Sequence, residues 1–200
     1  MNAKTAHLMR WWFIFIACLA PLPYIVYRLV INNLGAEPAK ALVEFLGETS
    51  LIVLFVTLAV TPLSKVKVLP SFVKYRRMLG LWVFFYACLH LLSYGVFLVD
   101  WRNFIEDLYQ RPYVIVGALA FLILLALAVT SPRAAIKKLG KKWKLLHRWV
   151  YLATFLVVVH VYWQLRADYF EALVYFVIFL VLMSFRLDVL LAWKSRAINK

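Results

Sequence analysis

Carboxylates are scarce in this chain. Nine aspartates and glutamates stand against 23 lysines and arginines, which leaves a formal charge of +14 over 200 residues. Cysteine is scarcer: Cys18 and Cys88 are the only two, both sit in apolar runs, and no C-x-x-C occurs. A four-cysteine iron–sulfur cluster or structural zinc site is thereby excluded, and both residues read as small hydrophobes. No polar stretch is long enough to fold a separate water-soluble domain.

What is present is apolar. Hydrophobic residues make up 66% of the chain, against roughly 45–50% in an ordinary soluble domain. They gather into six runs, at about 11–31, 45–63, 79–99, 113–131, 146–164 and 171–187. Each is close to the roughly 17–25 residues that a helix needs to cross a bilayer. In lipid only helices and closed barrels satisfy their own backbone, and uninterrupted runs of this length mean helices. The first run, "WWFIFIACLAPLPYIV" after Lys4 and Arg10, reads as a membrane helix bent at Pro21 and Pro23 and not as a cleaved signal. Pro62 is expected to close the second helix, Pro112 to open the fourth and Pro132 to end it. Connections are expected at 32–44 and 100–111, the latter lying along the membrane interface.

A charge of +14 could suit nucleic acid, but its distribution decides otherwise. With the N-terminus in the cytoplasm, 18 of the 23 basic residues fall on inner segments, and Arg28, Lys40, Arg102, Arg111 and Arg166 fall towards the outside. Eight of the nine acidic residues lie outside, Asp188 being the exception. This is the positive-inside pattern. The expected fold is therefore all-α: a polytopic membrane protein, one domain over 1–200, with six transmembrane helices in a bundle and both termini cytoplasmic. The run "KKLGKKWKLLHR" reads first as this signal together with attraction to anionic membrane lipid.

Ionisable residues inside a membrane are costly and point to function. His7 precedes the first span and reads as solvated. His90, His147 and His160 belong to spans three and five. His90 lies 13 residues past Arg77, and His160 lies 13 residues past His147. Both therefore lie roughly 20 Å along helices that run the same way. That places them at matched depth in the outer half, where two imidazoles can ligate one b-type haem iron from opposite faces. Ser93, Tyr162 and Trp163 are candidates to fix the rings. "RMLGLWVFFYACLH" and "HRWVYLATFLVVVH" form one weak internal echo. His147 does not share a face with His160, since 13 positions turn a helix by about 220°. A second haem with an unusual partner, a propionate contact, a quinone or flavin site, or a plain interfacial role all stay open for it. Arg76 lies about 40° from the face of His90 and could pair with a propionate or a quinone headgroup.

At these residues the chain resembles a known family. "RRMLGLWVFFYACLHLLSY", then "LGKKWKLLHRWVYL" and "HVYW", are similar to the MsrQ (YedZ) family, haem-binding membrane subunits of the periplasmic protein-methionine-sulfoxide reductase system. The likeness extends to "LGAEPAKALVEFLGETSL" and "TPL", and so covers nearly the whole chain. The family falls within the ferric-reductase-like transmembrane group. The resemblance implies a subunit of the bacterial inner membrane that takes electrons from the quinone pool and passes them through haem b. It would deliver them to a periplasmic molybdenum-containing reductase that repairs oxidised methionines and holds the substrate-reducing active site. It also implies FMN, and it matches His90, His147 and His160 to the family's intramembrane histidines and Arg76 and Arg77 to its arginine pair. The wider group carries two histidines on each haem-bearing helix; here Arg77 takes the place of one. No G-x-G-x-x-G occurs, which disfavours a direct NADPH oxidase. The alternatives are a self-contained ferric or oxygen reductase, and a haem-free transporter or scaffold, ranked last because spans three to five lack a midplane carboxylate.

Overall fold

The computed structural model describes residues 3–65, 70–99, 106, 110–165 and 169–186. Among them every regular element is helical. The helices are α1 (Ala3–Leu19), α2 (Pro21–Val30), α3 (Pro38–Lys65), α4 (Arg76–Ser93), α5 (Pro112–Val129), α6 (Arg133–Leu139), α7 (Lys141–Leu146), α8 (Val150–Gln164) and α9 (Phe170–Ser184). A 3-10 segment, Pro70–Tyr75, leads into α4, and a π-helical turn, Tyr94–Val99, follows it. Five continuous helical stretches are long and apolar enough to cross a membrane: Thr5–Val30, Pro38–Ser64, Phe72–Val99, Pro112–Val129 and Lys141–Gln164. The shorter apolar Phe170–Ser184 supplies the sixth. The chain is an all-α polytopic membrane protein.

Several boundaries differ from the sequence reading. The second span begins at Pro38 rather than near 45, so Lys40 and Glu44 belong to a helix and not to a connecting loop. The expected break near Pro21 is present as the junction between α1 and α2. There the Tyr86 hydroxyl donates to the Cys18 carbonyl at 2.6 Å and ties the first span to α4. Pro62 does not end α3, which continues to Lys65. A proline has no N–H to give the carbonyl four residues earlier. That carbonyl, on Leu58, instead accepts from the Arg186 guanidinium at 2.8 Å. An imported donor thus repairs the ladder, and the helix runs on. The expected connection 100–111 falls mostly outside the described residues.

Span α3 is the central column. It buries 61% of its apolar window, whereas the other four long spans bury 17–28% of theirs. Leu51, Phe55 and Leu58 pack against Val158 of α8 and Phe179 and Leu182 of α9. Leu54 meets Val83, Leu124 and Ala153, so α3, α4, α5 and α8 share one apolar centre. Lipid tails are as apolar as leucine, so such packing must come from close shape fit and hydrogen bonds rather than from water exclusion. The Ser50 hydroxyl supplies one such bond, donating to the Val83 carbonyl across the α3–α4 seam at 3.0 Å. Two helix pairs, α3 with α4 and α5 with α8, share the most extensive contacts among the described residues.

Candidate functional site: a facing pair of imidazoles

His90 projects from α4 and His160 from α8, and the structure brings them together. Their ring centroids are 6.3 Å apart with the planes at 87°. Each ring is anchored on the neighbouring helix of its own pair. His90 Nδ1 lies 2.9 Å from the Val43 carbonyl, and His160 Nδ1 lies 2.7 Å from the Tyr113 carbonyl. A carbonyl oxygen can only accept, so each Nδ1 carries the proton and donates. Each Nε2 is then the unprotonated nitrogen, the form that ligates a metal. These backbone anchors replace the expected ones. Ser93 donates to the His90 main-chain carbonyl at 2.9 Å and not to its ring, Tyr162 packs against Tyr169, and Trp163 is exposed.

Glycine makes the anchors reachable. A Cβ at Gly47 would stand 2.8 Å from His90 Nδ1, and one at Gly117 would stand 2.8 Å from His160 Nδ1. Helical Cβ atoms lean towards the N-terminus, over the preceding turn, so a side chain at 47 or 117 would cover the carbonyl at 43 or 113. Glycine within a helix is disfavoured by roughly 0.5–1 kcal/mol against alanine; here the ring occupies the space that the missing side chain leaves.

The two half-sites repeat one pattern. Carbonyl residue and histidine are 47 positions apart in each. Val43 and Tyr113, Gly47 and Gly117, and His90 and His160 are each 70 positions apart. Sequence reasoning found the histidines through the 13-residue echo but missed Val43, Gly47, Tyr113 and Gly117. The constant 70-residue offset is the signal that could have found them.

Both rings lie on the wall of one cavity of about 450 Å³, within the size range of cofactor pockets. Its wall is mostly apolar, with Leu51, Leu124 and Phe121 among the lining side chains, while Glu48, Glu171 and Tyr175 stand at its outer side. Tyr175 donates to Glu48 at 2.9 Å and links α9 to α3 there. No group of three or more His, Cys, Asp or Glu side chains gathers among the described residues. A metal at the imidazole pair would therefore need its remaining ligands from elsewhere, as a porphyrin provides. Two metal–imidazole bonds of about 2 Å with the iron midway put ring centres about 6 Å apart, and the observed spacing fits that arrangement.

The remaining sequence candidates lie at the other end of the bundle, which bears most of the basic residues. His147 opens the 3-10 turn before α8. Its ring stacks on Trp143 at 3.9 Å and donates through Nδ1 to the Trp143 carbonyl at 3.2 Å. No second imidazole faces it among the described residues. Arg77, 70 positions earlier, is exposed; Arg76 is half-buried.

Residues 44–158 match the family described as ferric reductase like transmembrane component. The chain is 38% identical over 186 residues to the protein-methionine-sulfoxide reductase heme-binding subunit MsrQ of Caulobacter vibrioides, covering 92% of this chain and 86% of that protein. No solved structure matches it.

Proposed function

Because the chain belongs to the MsrQ family, within the ferric-reductase-like transmembrane group, we propose that it is a haem b electron-transfer subunit of a bacterial inner membrane. It takes electrons from the quinone pool and hands them to a periplasmic molybdenum-containing methionine-sulfoxide reductase, which holds the substrate-reducing site and repairs oxidised envelope proteins. The facing His90–His160 pair carries this reading.

A haem b held there supplies a reversible one-electron carrier. The protein's part is placement. His90 and His160 present Nε2 from two helices, and the Val43 and Tyr113 carbonyls hold the tautomer and ring angle. The apolar wall limits water. The basic end, cytoplasmic by the charge pattern, carries Arg76, Arg77 and His147. These groups suit a quinone oxygen or the phosphate of FMN. A second haem on His147 would need a ligand other than an imidazole. The imidazole pair sits towards the opposite end, which suits delivery to a periplasmic partner. Its docking segments, 100–111 and 165–170, lie largely outside the described residues.

The test is an absorption spectrum of the purified membrane protein. Sharp haem b bands that dithionite and a quinol both reduce, without NADPH, are expected. Absence of haem from correctly inserted protein overturns the reading. Rapid reduction of a ferric chelate without any partner protein would instead favour a self-contained reductase.

A further inference from the structure

We propose that Arg76 and Arg186, with Tyr151, form a buried anion site at the basic end of the bundle that takes a phosphate group. The site shares Arg76 with the basic end named above, adds Arg186 and Tyr151, and stands without the electron-transfer reading. The observation is charge that no carboxylate among the described residues compensates. Arg186, just past α9, is 6% exposed. Its guanidinium donates to the Tyr151 hydroxyl at 2.5 Å and to the Leu58 carbonyl at 2.8 Å, and lies 5.2 Å from the Tyr151 ring centre. All of these partners are neutral. Arg76, at the start of α4, lies within electrostatic range of both Arg186 and Tyr151. The Nε atoms of both arginines are buried and unbonded, as is the nearby hydroxyl of Thr61, one turn beyond Leu58 on α3. Among the described residues the ion pairs found are those of Lys40 with Glu37 and Glu44, far along the chain from either arginine.

Two guanidiniums within electrostatic range of each other repel, and the burial of Arg186 strips it of hydration, a cost that a bound anion would offset. Guanidinium forks match phosphate oxygens. Basic pockets between membrane helices on the cytoplasmic side are suited to phospholipid headgroups. A lipid headgroup and a soluble phosphate share this chemistry, and the experiment separates them.

Delipidated full-length protein, as purified in neutral detergent, is titrated with inorganic phosphate, with short-chain phosphatidylglycerol and with short-chain phosphatidylcholine, while thermal unfolding is followed. A saturable upward shift with inorganic phosphate identifies a soluble phosphate ligand. A shift with phosphatidylglycerol alone identifies a lipid headgroup. Either response should weaken at least ten-fold in apparent affinity in Arg76→Gln and in Arg186→Gln, and should persist in Lys137→Gln, a control on the neighbouring basic surface. Arg186→Lys keeps the charge and should retain part of the response; it also serves should Arg186→Gln fail to fold, as judged by its helical circular dichroism. An undiminished response in Arg76→Gln, or no response to either phosphate compound in the wild type, overturns the site. A failure of the haem reading would appear in the spectrum and leave this titration unaffected.

Discussion

The two ends of the bundle are built on the same repeat but finished differently. At one end the 70-residue offset pairs like with like: His90 with His160, Gly47 with Gly117, and a backbone carbonyl with a backbone carbonyl. At the other end the same offset pairs Arg77 with His147. The first arrangement brings two imidazoles face to edge with their ring centroids 6.3 Å apart. The second leaves an exposed guanidinium and a histidine laid against Trp143. A repeated helical frame thus fixes where side chains point, while residue identity decides whether a ligand pair forms. One matched imidazole pair exists among the described residues, and the basic end carries none.

The largest effect should come from breaking the matched pair. His90→Ala or His160→Ala is expected to remove most of the haem, because under the proposed function each would supply one bond to the same iron; haem-to-protein ratio in purified membranes checks this. His147→Ala should retain a haem with bis-imidazole character, and complete loss in an inserted protein would reverse the contrast between the two ends.

The glycines come next. Gly47→Ala and Gly117→Ala place a Cβ 2.8 Å from an imidazole nitrogen. Overpacking of this kind costs about 1–3 kcal/mol, which, if it falls on the haem-bound form, corresponds to roughly five- to 150-fold weaker haem retention. The repeat requires the two substitutions to act alike, and a large effect at one with none at the other would break the equivalence of the half-sites. Smaller still, Arg77→Ala is expected to slow reduction by quinol about ten-fold, the size of a lost charge-assisted hydrogen bond of about 1.5 kcal/mol. It should leave oxidation by the periplasmic partner unchanged, as timed by stopped-flow after dithionite reduction. The smallest change is Pro62→Ala. It restores an N–H beneath the Leu58 carbonyl, where it competes with Arg186, and should move thermal stability by no more than about 1 kcal/mol.

Much of this was legible before any coordinates. Hydropathy gave six spans, and depth counting from Arg77 and His147 singled out His90 and His160. The groups that hold the two rings were not legible. Ser93, Tyr162 and Trp163 were reasonable by sequence proximity, but the rings bond to carbonyls 47 positions away. A backbone carbonyl is present at every residue and leaves no compositional trace. Pro62 misled for a related reason: its local preference ends a helix, and only Arg186, contributed from beyond α9, lets α3 continue.

Sequence by itself determined that the chain is a helical membrane bundle and which histidines share a depth, because span length and the 1.5 Å helical rise are local properties of the chain. Only the tertiary structure decided that the two imidazoles face each other, that glycines admit them, and that Arg186 reaches Leu58. Those outcomes depend on how separate helices approach one another, and in lipid that approach is set by side-chain fit and interhelical hydrogen bonds, which no single helix encodes.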